Sequence, residues 1–302
     1  MTQTVLILGG NGKIGAHATT AFQAAGWEVR HYTRGTDMVR AAMGADVIVN
    51  GLNPPNYHNW AKLIPAITAQ VIAAAKASGA TVVLPGSVYN FGGTGGVWSE
   101  ISPQNPTTRK GKIRVRSERD YAASGVQTIL LRAGNFIDPD HRVDVMSGFL
   151  LTGIAKGKIA GTGPKDVVTT YCYLPDWARA AVELAEMRHS LPQFEDIPFP
   201  GHAFSLEELR ATLQSALNRP VQLSAFPWWF MRLASPFWEM ARELSEMRYL
   251  WTTPHTLSGT KLARLLPDFQ PTDLRTVMLA GLPVEIHPHQ PVRPGSQTFG
   301  AQ

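Results

Sequence analysis

The sequence predicts an α/β protein built on a doubly wound parallel sheet, and three observations carry that prediction. Apolar runs in the first half are short and continuous rather than alternating, as in strands buried on both faces. Helical patterns separate these runs, so each strand reaches the next through a crossover. A glycine-rich run directly follows the first apolar run and opens the first helical pattern.

Taken in order, residues 5–8 read as the first strand and 12–25 as the first helix. A strand over 29–33, a short helix over 38–43 and a strand over 47–49 follow. An alanine-rich helix covers 60–78, then a strand 81–84, a helix around 116–123 and a strand 129–131. Glycine and proline punctuate the start of the second half (Gly153, Gly157, Gly161, Gly163, Pro164) before a helix over 175–187. Ser205 with Glu208 three residues on reads as a capping box. Apolar residues then recur at Phe226, Phe230, Leu233, Phe237, Met240, Leu244, Met247 and Trp251, one helical face broken at Pro227 and Pro236. That face is expected to form a core or a dimer seam. Glu239, Glu243 and Glu246 on the same stretch oppose anionic lipid and set a membrane-surface helix aside. Residues 288–302 are polar and rich in Pro, Gly and Gln, and are expected to form a loosely ordered tail.

Composition narrows the function. With 302 residues the chain can bury one large core or two ordinary ones. Its one cysteine, Cys172, excludes an internal disulfide, a CxxC pair and a multi-cysteine zinc site. His287 and His289 lack a partner carboxylate, so no metal is expected. The net charge of +5 is spread out apart from a knot at Arg109, Lys110, Lys112, Arg114 and Arg116, too short for a nucleic-acid face. No basic leader precedes Val5 and no run of about 18 apolar residues occurs, so a cytoplasmic protein without membrane contact is expected.

The glycine run is Gly9-Gly10-Asn11-Gly12-Lys13-Ile14-Gly15. Lying between a strand and a helix, it lets the backbone approach a pyrophosphate that the helix N-terminus then holds. NAD sites place an acid at the end of the second strand to hold the ribose hydroxyls. Here that stretch reads Val29-Arg-His-Tyr-Thr-Arg34. Arg34, with Thr33 and Lys13, suits a 2′-phosphate, so NADP is expected over NAD, and Asp37 is expected to cap the next helix.

At this point the chain resembles the short-chain dehydrogenase/reductase superfamily in its extended form, typified by the NAD-dependent epimerase/dehydratases of nucleotide sugars. Beyond the glycine loop, Asp46-Val-Ile-Val-Asn50-Gly51-Leu52 is similar to the strand that ends beside the adenine. Val83-Leu-Pro-Gly-Ser-Val-Tyr-Asn-Phe-Gly92 is similar to the family's Ser-Ser-x-x-Val-Tyr-Gly strand end. Leu130-Leu-Arg-Ala-Gly-Asn135-Phe136 is similar to the segment that flanks nicotinamide and substrate, and Tyr173-Leu-Pro-Asp-Trp-Ala-Arg179 to an aspartate-bearing helix start. The resemblance implies a Rossmann domain over 1–150, with 165–190 returning to it, and a smaller, discontinuous C-terminal substrate domain over 190–287, mainly helical. It also implies a homodimer through helices of the first domain.

Two departures stand out. Between Arg34 and Val47 there is little room for the family's third strand, which is expected to be shortened or absent. Aligning Tyr89 with the strand-end tyrosine puts Pro85 in the Ser/Thr position, Lys110 in the catalytic Tyr position and Arg114 in the Lys position. The usual phenol is therefore missing. Ser87, Tyr89 and Lys110 are the substitute proton-transfer candidates, and Arg114 and Pro85 are expected at the cofactor. His58, beside Asn56, Tyr57 and Trp60, is a further acid/base and substrate candidate, and Asn135 and Phe136 are expected to line the substrate. Trp228, Trp229, Phe230, Trp238 and Trp251 fit either an apolar ligand or a packed core. One reading is an NADP-dependent oxidoreductase or epimerase with a non-standard catalytic set and a small-molecule substrate. The other is a non-catalytic NADP-binding redox sensor or regulator.

Overall fold

A computed structural model describes residues 2–140 and 144–286. In chain order the first half contains β1 (Thr4–Leu8), α1 (Lys13–Ala24), β2 (Glu28–Tyr32), α2 (Met38–Ala42), β3 (Val47–Asn50), α3 (Trp60–Ser78), β4 (Thr81–Ser87), β5 (Gly96–Trp98), α4 (Arg109–Ala123), β6 (Thr128–Ala133) and β7 (Asn135–Ile137). Then follow β8 (Lys158–Gly161), β9 (Thr169–Tyr173), α5 (Leu174–Glu186), β10 (Phe194–Pro198), β11 (His202–Phe204), α6 (Leu206–Leu217) and β12 (Gln222–Ala225). The chain continues through α7 (Trp228–Ala234), α8 (Glu239–Met247), β13 (His255–Leu257), α9 (Thr260–Leu265) and α10 (Leu274–Leu279).

Six strands form a parallel sheet in the order β2-β1-β3-β4-β6-β10. The continuous apolar runs are buried because helices cover both faces. On one face α1 and α5 enclose Ile14, Ala18, Phe22, Trp177, Ala178 and Ala181 with the strand residues Val5, Ile7 and Ile129. On the other, α2, α3 and α4 bury Met38, Val71, Ala74 and Tyr121 over Leu6, Ile48, Val82 and Leu130.

The outer strand expected to be shortened or absent is absent among the described residues: β2 is the sheet edge, and only α2 lies between it and β3. Chain direction across the sheet reverses at β1, which pairs β2 on one side and β3 on the other. The carboxyl ends of β1 and β3 are therefore the switch point where doubly wound sheets bind ligands.

Two parts of the segment expected as a second domain touch this sheet. Phe194–Pro198 supplies the sixth strand, and Leu262 and Leu266 of the α9 region return to the first core. Around these, α6 and α10 bury Leu209, Leu213, Val277 and Met278 against Tyr171 and Phe204. Four short strands lie between 194 and 257, beside the expected helices. Ser205 and Glu208 form the capping box at the start of α6. Pro227 and Pro236 do interrupt the helices, but the apolar face between them is not a core. Trp229, Phe230, Leu233, Phe237 and Trp238 are all exposed, Phe237 by 96%. The tail over 288–302, with His289, and the neighbouring His287 lie outside the described residues.

Candidate active site

The glycine loop is held by backbone contacts. Gly9 adopts φ +77°, and the Gly12 N–H donates to the Gly9 carbonyl at 2.9 Å. A Cβ at Gly15 would lie 2.2 Å from the Gly9 oxygen, and one at Gly51 would lie 2.8 Å from the Leu8 oxygen. Only glycine lets α1 and the end of β3 approach β1 this closely. Ile14 anchors the loop from below in the core. Gly12 is the N-cap of α1 and has no side-chain cap, so first-turn N–H groups retain their capacity for a phosphate. Burial pushes the Lys13 ammonium below its usual range, with Asp144 and Asp138 acting the other way. This cradle fits the pyrophosphate of a dinucleotide. Thr33 and Arg34 follow β2 and are exposed, and Asp37 is committed to α2, its carboxylate accepting from the Arg40 N–H at 3.2 Å.

From this loop the chain leads directly to a second cluster. Gly51 sits against Gly9 and Gly15, and Asn50 donates to the buried Tyr121 hydroxyl at 3.2 Å. Asn53 then accepts from Arg114 Nη2 at 3.1 Å. Tyr57 follows, its hydroxyl 3.3 Å from that of Tyr89. That is long for O–H···O, as catalytic contacts often are before substrate arrives. Asn56, Tyr57 and Asn59 all have φ between +46° and +61°. Three non-glycine residues in the left-handed region mark a strained turn, and Asn tolerates it better than Tyr. The Arg114 guanidinium lies 4.7 Å over the Trp60 ring, and its Nε is buried with no hydrogen-bond partner among the described residues. A buried, unused donor is costly unless a ligand takes it.

The charge of the Tyr89 phenol, and after it burial, push the Tyr57 phenol well above its usual range, against the opposing pull of Arg114. Tyr57 therefore stays protonated near neutral pH, and the shift by itself makes it a weaker acid than a free phenol.

The other candidates fall in different places. Lys110 is fully buried, and its three donors are taken: Nζ ion-pairs with Glu243 and with Glu246 (2.8 Å) and donates to the Glu243 carbonyl (3.1 Å). This removes it from proton transfer and makes it the latch that holds α8 to α4. Arg109 reinforces the latch through Glu243 at 2.5 Å. Burial pushes the Glu243 carboxyl up, but the hydrogen bonds from Lys110 and Arg109 outweigh it and hold the group below its usual range. His58 also meets α8: its Nδ1 lies 2.8 Å from Glu239 Oε2, and the ring is largely exposed.

Pro85 brings no hydroxyl. It is tolerated in a central strand because pairing with β3 ends at Val83, leaving no ladder bond on that side for its missing N–H. Ser87 Oγ accepts from the Tyr89 N–H at 3.2 Å and so orients the tyrosine. Arg132 fixes the same strand end. Fully buried, it donates to the Ser87 carbonyl at 2.7 Å and pairs with Glu118 (2.8 Å) and Asp196 (2.6 Å). On β7, Asn135 is half-buried, whereas Phe136 packs against the core under α1 and α5.

The site residue that sequence reasoning passed over is Tyr57. Its signal was a phenol inside Asn-Pro-Pro-Asn-Tyr-His-Asn, directly after a switch-point strand.

The sheet order and the glycine cradle together define a Rossmann-type α/β fold, and solved structures share that fold. The chain is similar to MoeE5 in complex with UDP-glucose and NAD, at 15% identity over 92% of this chain and 97% of that one, TM-score 0.70. It is similar to a nucleoside-diphosphate-sugar epimerase from Staphylococcus aureus, at 17% identity over 91% and 99%, TM-score 0.69. UDP-glucose 4-epimerase from Brucella ovis in complex with NAD matches at 15% identity over 92% and 97%, TM-score 0.70. No family model matches the sequence, and no curated protein matches it.

Proposed function

We propose that the protein is an NADP-dependent oxidoreductase or epimerase that uses Tyr57, with Tyr89 and Arg114, in place of the Tyr-x-x-x-Lys set. The observation that carries this reading is the Tyr57–Tyr89 hydroxyl pair beside Arg114, at the end of the segment that begins on the glycine loop. A bound nicotinamide supplies or accepts hydride. The chain's own residues do the rest. Gly9, Gly12, Ile14 and Gly15 form the pyrophosphate cradle, with Lys13 beside it, and Asn50, Gly51 and Leu52 wall the strand end. Thr33 and Arg34 hold the 2′-phosphate, and Arg114 Nε donates to the ligand. Tyr57 gives its proton to a carbonyl oxygen, and Tyr89 stands behind it as the second phenol of the relay.

Nucleotide-linked sugars are the first substrate class to screen, because the similar structures include enzymes of such compounds. The buried, single Cys172 suits the cytoplasm. Nucleic acid is not a partner in this reading, since Arg109 and Lys110 of the basic knot are engaged by Glu243 and Glu246.

The test is a titration with NADPH and NADH by tryptophan quenching, followed by carbonyl-dependent NADPH consumption. Tyr57→Phe should leave NADPH affinity unchanged and lower turnover by about 10²–10⁴-fold. Unchanged turnover in Tyr57→Phe would overturn the assignment. A second reading, a non-catalytic NADP-binding sensor, is favoured by Pro85 and Lys110 standing where the family has its two hydroxyls. Tight NADPH binding without turnover on any carbonyl would select it.

A further inference from the structure

We propose that the exposed face of α7 and the turn leading to α8 is a docking surface for an anionic lipid bilayer. Five large apolar side chains stand in solvent within ten residues: Trp229 (69% exposed), Phe230, Leu233 (68%), Phe237 and Trp238. On α7 only Met231 is buried, on the opposite side. Exposed aromatic clusters of this kind mark interaction sites rather than ordinary surface. Their make-up, two tryptophans and two phenylalanines with one leucine, is that of a membrane–water interface, where amphipathic rings sit at headgroup level.

Charge decides which partner fits. The acids of this region, Glu239, Glu243 and Glu246, argued against lipid while their direction was unknown. They recur at i, i+4 and i+7, along one side of α8. Glu243 and Glu246 face inward, where Arg109 and Lys110 meet them, and Glu239, nearer the surface, is paired with His58. The outward face keeps Arg232, exposed in the middle of the aromatic cluster and without an acidic partner among the described residues, and Arg248 is exposed close by. An apolar face carrying cations, on a chain of net charge +5, complements phosphate headgroups. Phe237, at 96% exposure, must project from its surroundings. A projecting ring enters a fluid acyl layer without a preformed pocket. The docking surface is tied to α4, which carries Arg114, through the Lys110 latch. The proposal holds whether or not the protein turns over a substrate.

The test is flotation of the full chain with vesicles of equimolar phosphatidylglycerol and phosphatidylcholine, and with phosphatidylcholine alone. The protein should float with the anionic vesicles and much less with the neutral ones. Leu233→Ser with Phe237→Ser should cut the bound fraction at least about tenfold with an unchanged melting temperature, since both side chains are already in solvent. Arg232→Glu should weaken binding to anionic vesicles only, and added salt should do the same. Failure of the unaltered protein to float with either vesicle overturns the proposal, as does equal flotation of the double variant. A dimer in light scattering that the double variant splits also overturns it, and assigns the face to a second copy of the chain.

Discussion

The two ends of the candidate site are built from different materials. The glycine-loop end is backbone: Gly9, Gly15 and Gly51 touch through main-chain atoms, and α1 offers its first-turn N–H groups without a side-chain cap. The tyrosine end is side chain, drawn from the turn at Tyr57, the strand end at Tyr89, α4 at Lys110 and Arg114, and α8 at Glu243 and Glu246. A backbone site demands only that certain residues stay small. A side-chain site can be rebuilt from other segments.

Four experiments bear on that contrast. The largest effect belongs to the tyrosine end. Arg132→Met leaves Glu118 and Asp196 buried without their cation, and should cost about 3–5 kcal/mol in urea unfolding. A loss below ~1 kcal/mol would mean that this strand end is not held by its side chains. At the glycine end, Gly15→Ala forces a Cβ against the Gly9 carbonyl, a strain of about 1–3 kcal/mol. NADPH affinity measured by calorimetry should fall accordingly, and native affinity would show that the loop has slack. Arg34→Glu should weaken NADPH binding roughly tenfold while sparing NADH, within the range of a charge-assisted hydrogen bond. Equal losses for both would remove the 2′-phosphate assignment.

The smallest effect is set by pH. Glu243 has a folded pKa below its ordinary 4.5, so the latch adds stability above that value and loses it as pH falls through the lowered one. Limited proteolysis should therefore cut the α7–α8 region faster below pH 4.5 than at neutral pH. A Glu243→Gln variant should show less of this pH dependence.

How far each end was legible in the sequence follows from the same contrast. Strands β1 to β4, helices α1 to α3, the missing outer strand and the glycine loop all depend on local pattern, and the residues showed them. The tyrosine end depends on pairs far apart in the chain: Lys110 meets Glu246 across 136 residues, and Arg132 meets Asp196 across 64. Alignment by spacing placed Lys110 at the centre of the chemistry. Only the fold shows that two carboxylates engage it, and that Tyr57, from a turn between elements, lies next to Tyr89. The apolar stripe from 226 to 251 divides for a related reason: Met247 is buried, whereas Phe230, Leu233 and Phe237 are exposed. Helical periodicity shows that a face exists, but not whether anything covers it.

The sheet also ends differently on its two sides. At β10, Lys261 donates to the Asp196 carbonyl at 2.8 Å and pairs with Glu195, so α9 seals that margin. At β2 the outer strand is gone, and the margin carries Glu28, Arg30 and His31 instead. A bare strand edge is a template on which another chain can add itself, and charge is a common guard against it. Protection of this margin against strand addition thus rests on a few polar side chains of one five-residue strand. Exchanging Arg30 and Glu28 for valine and threonine would turn this margin into a seed for fibrous self-assembly without altering the interior.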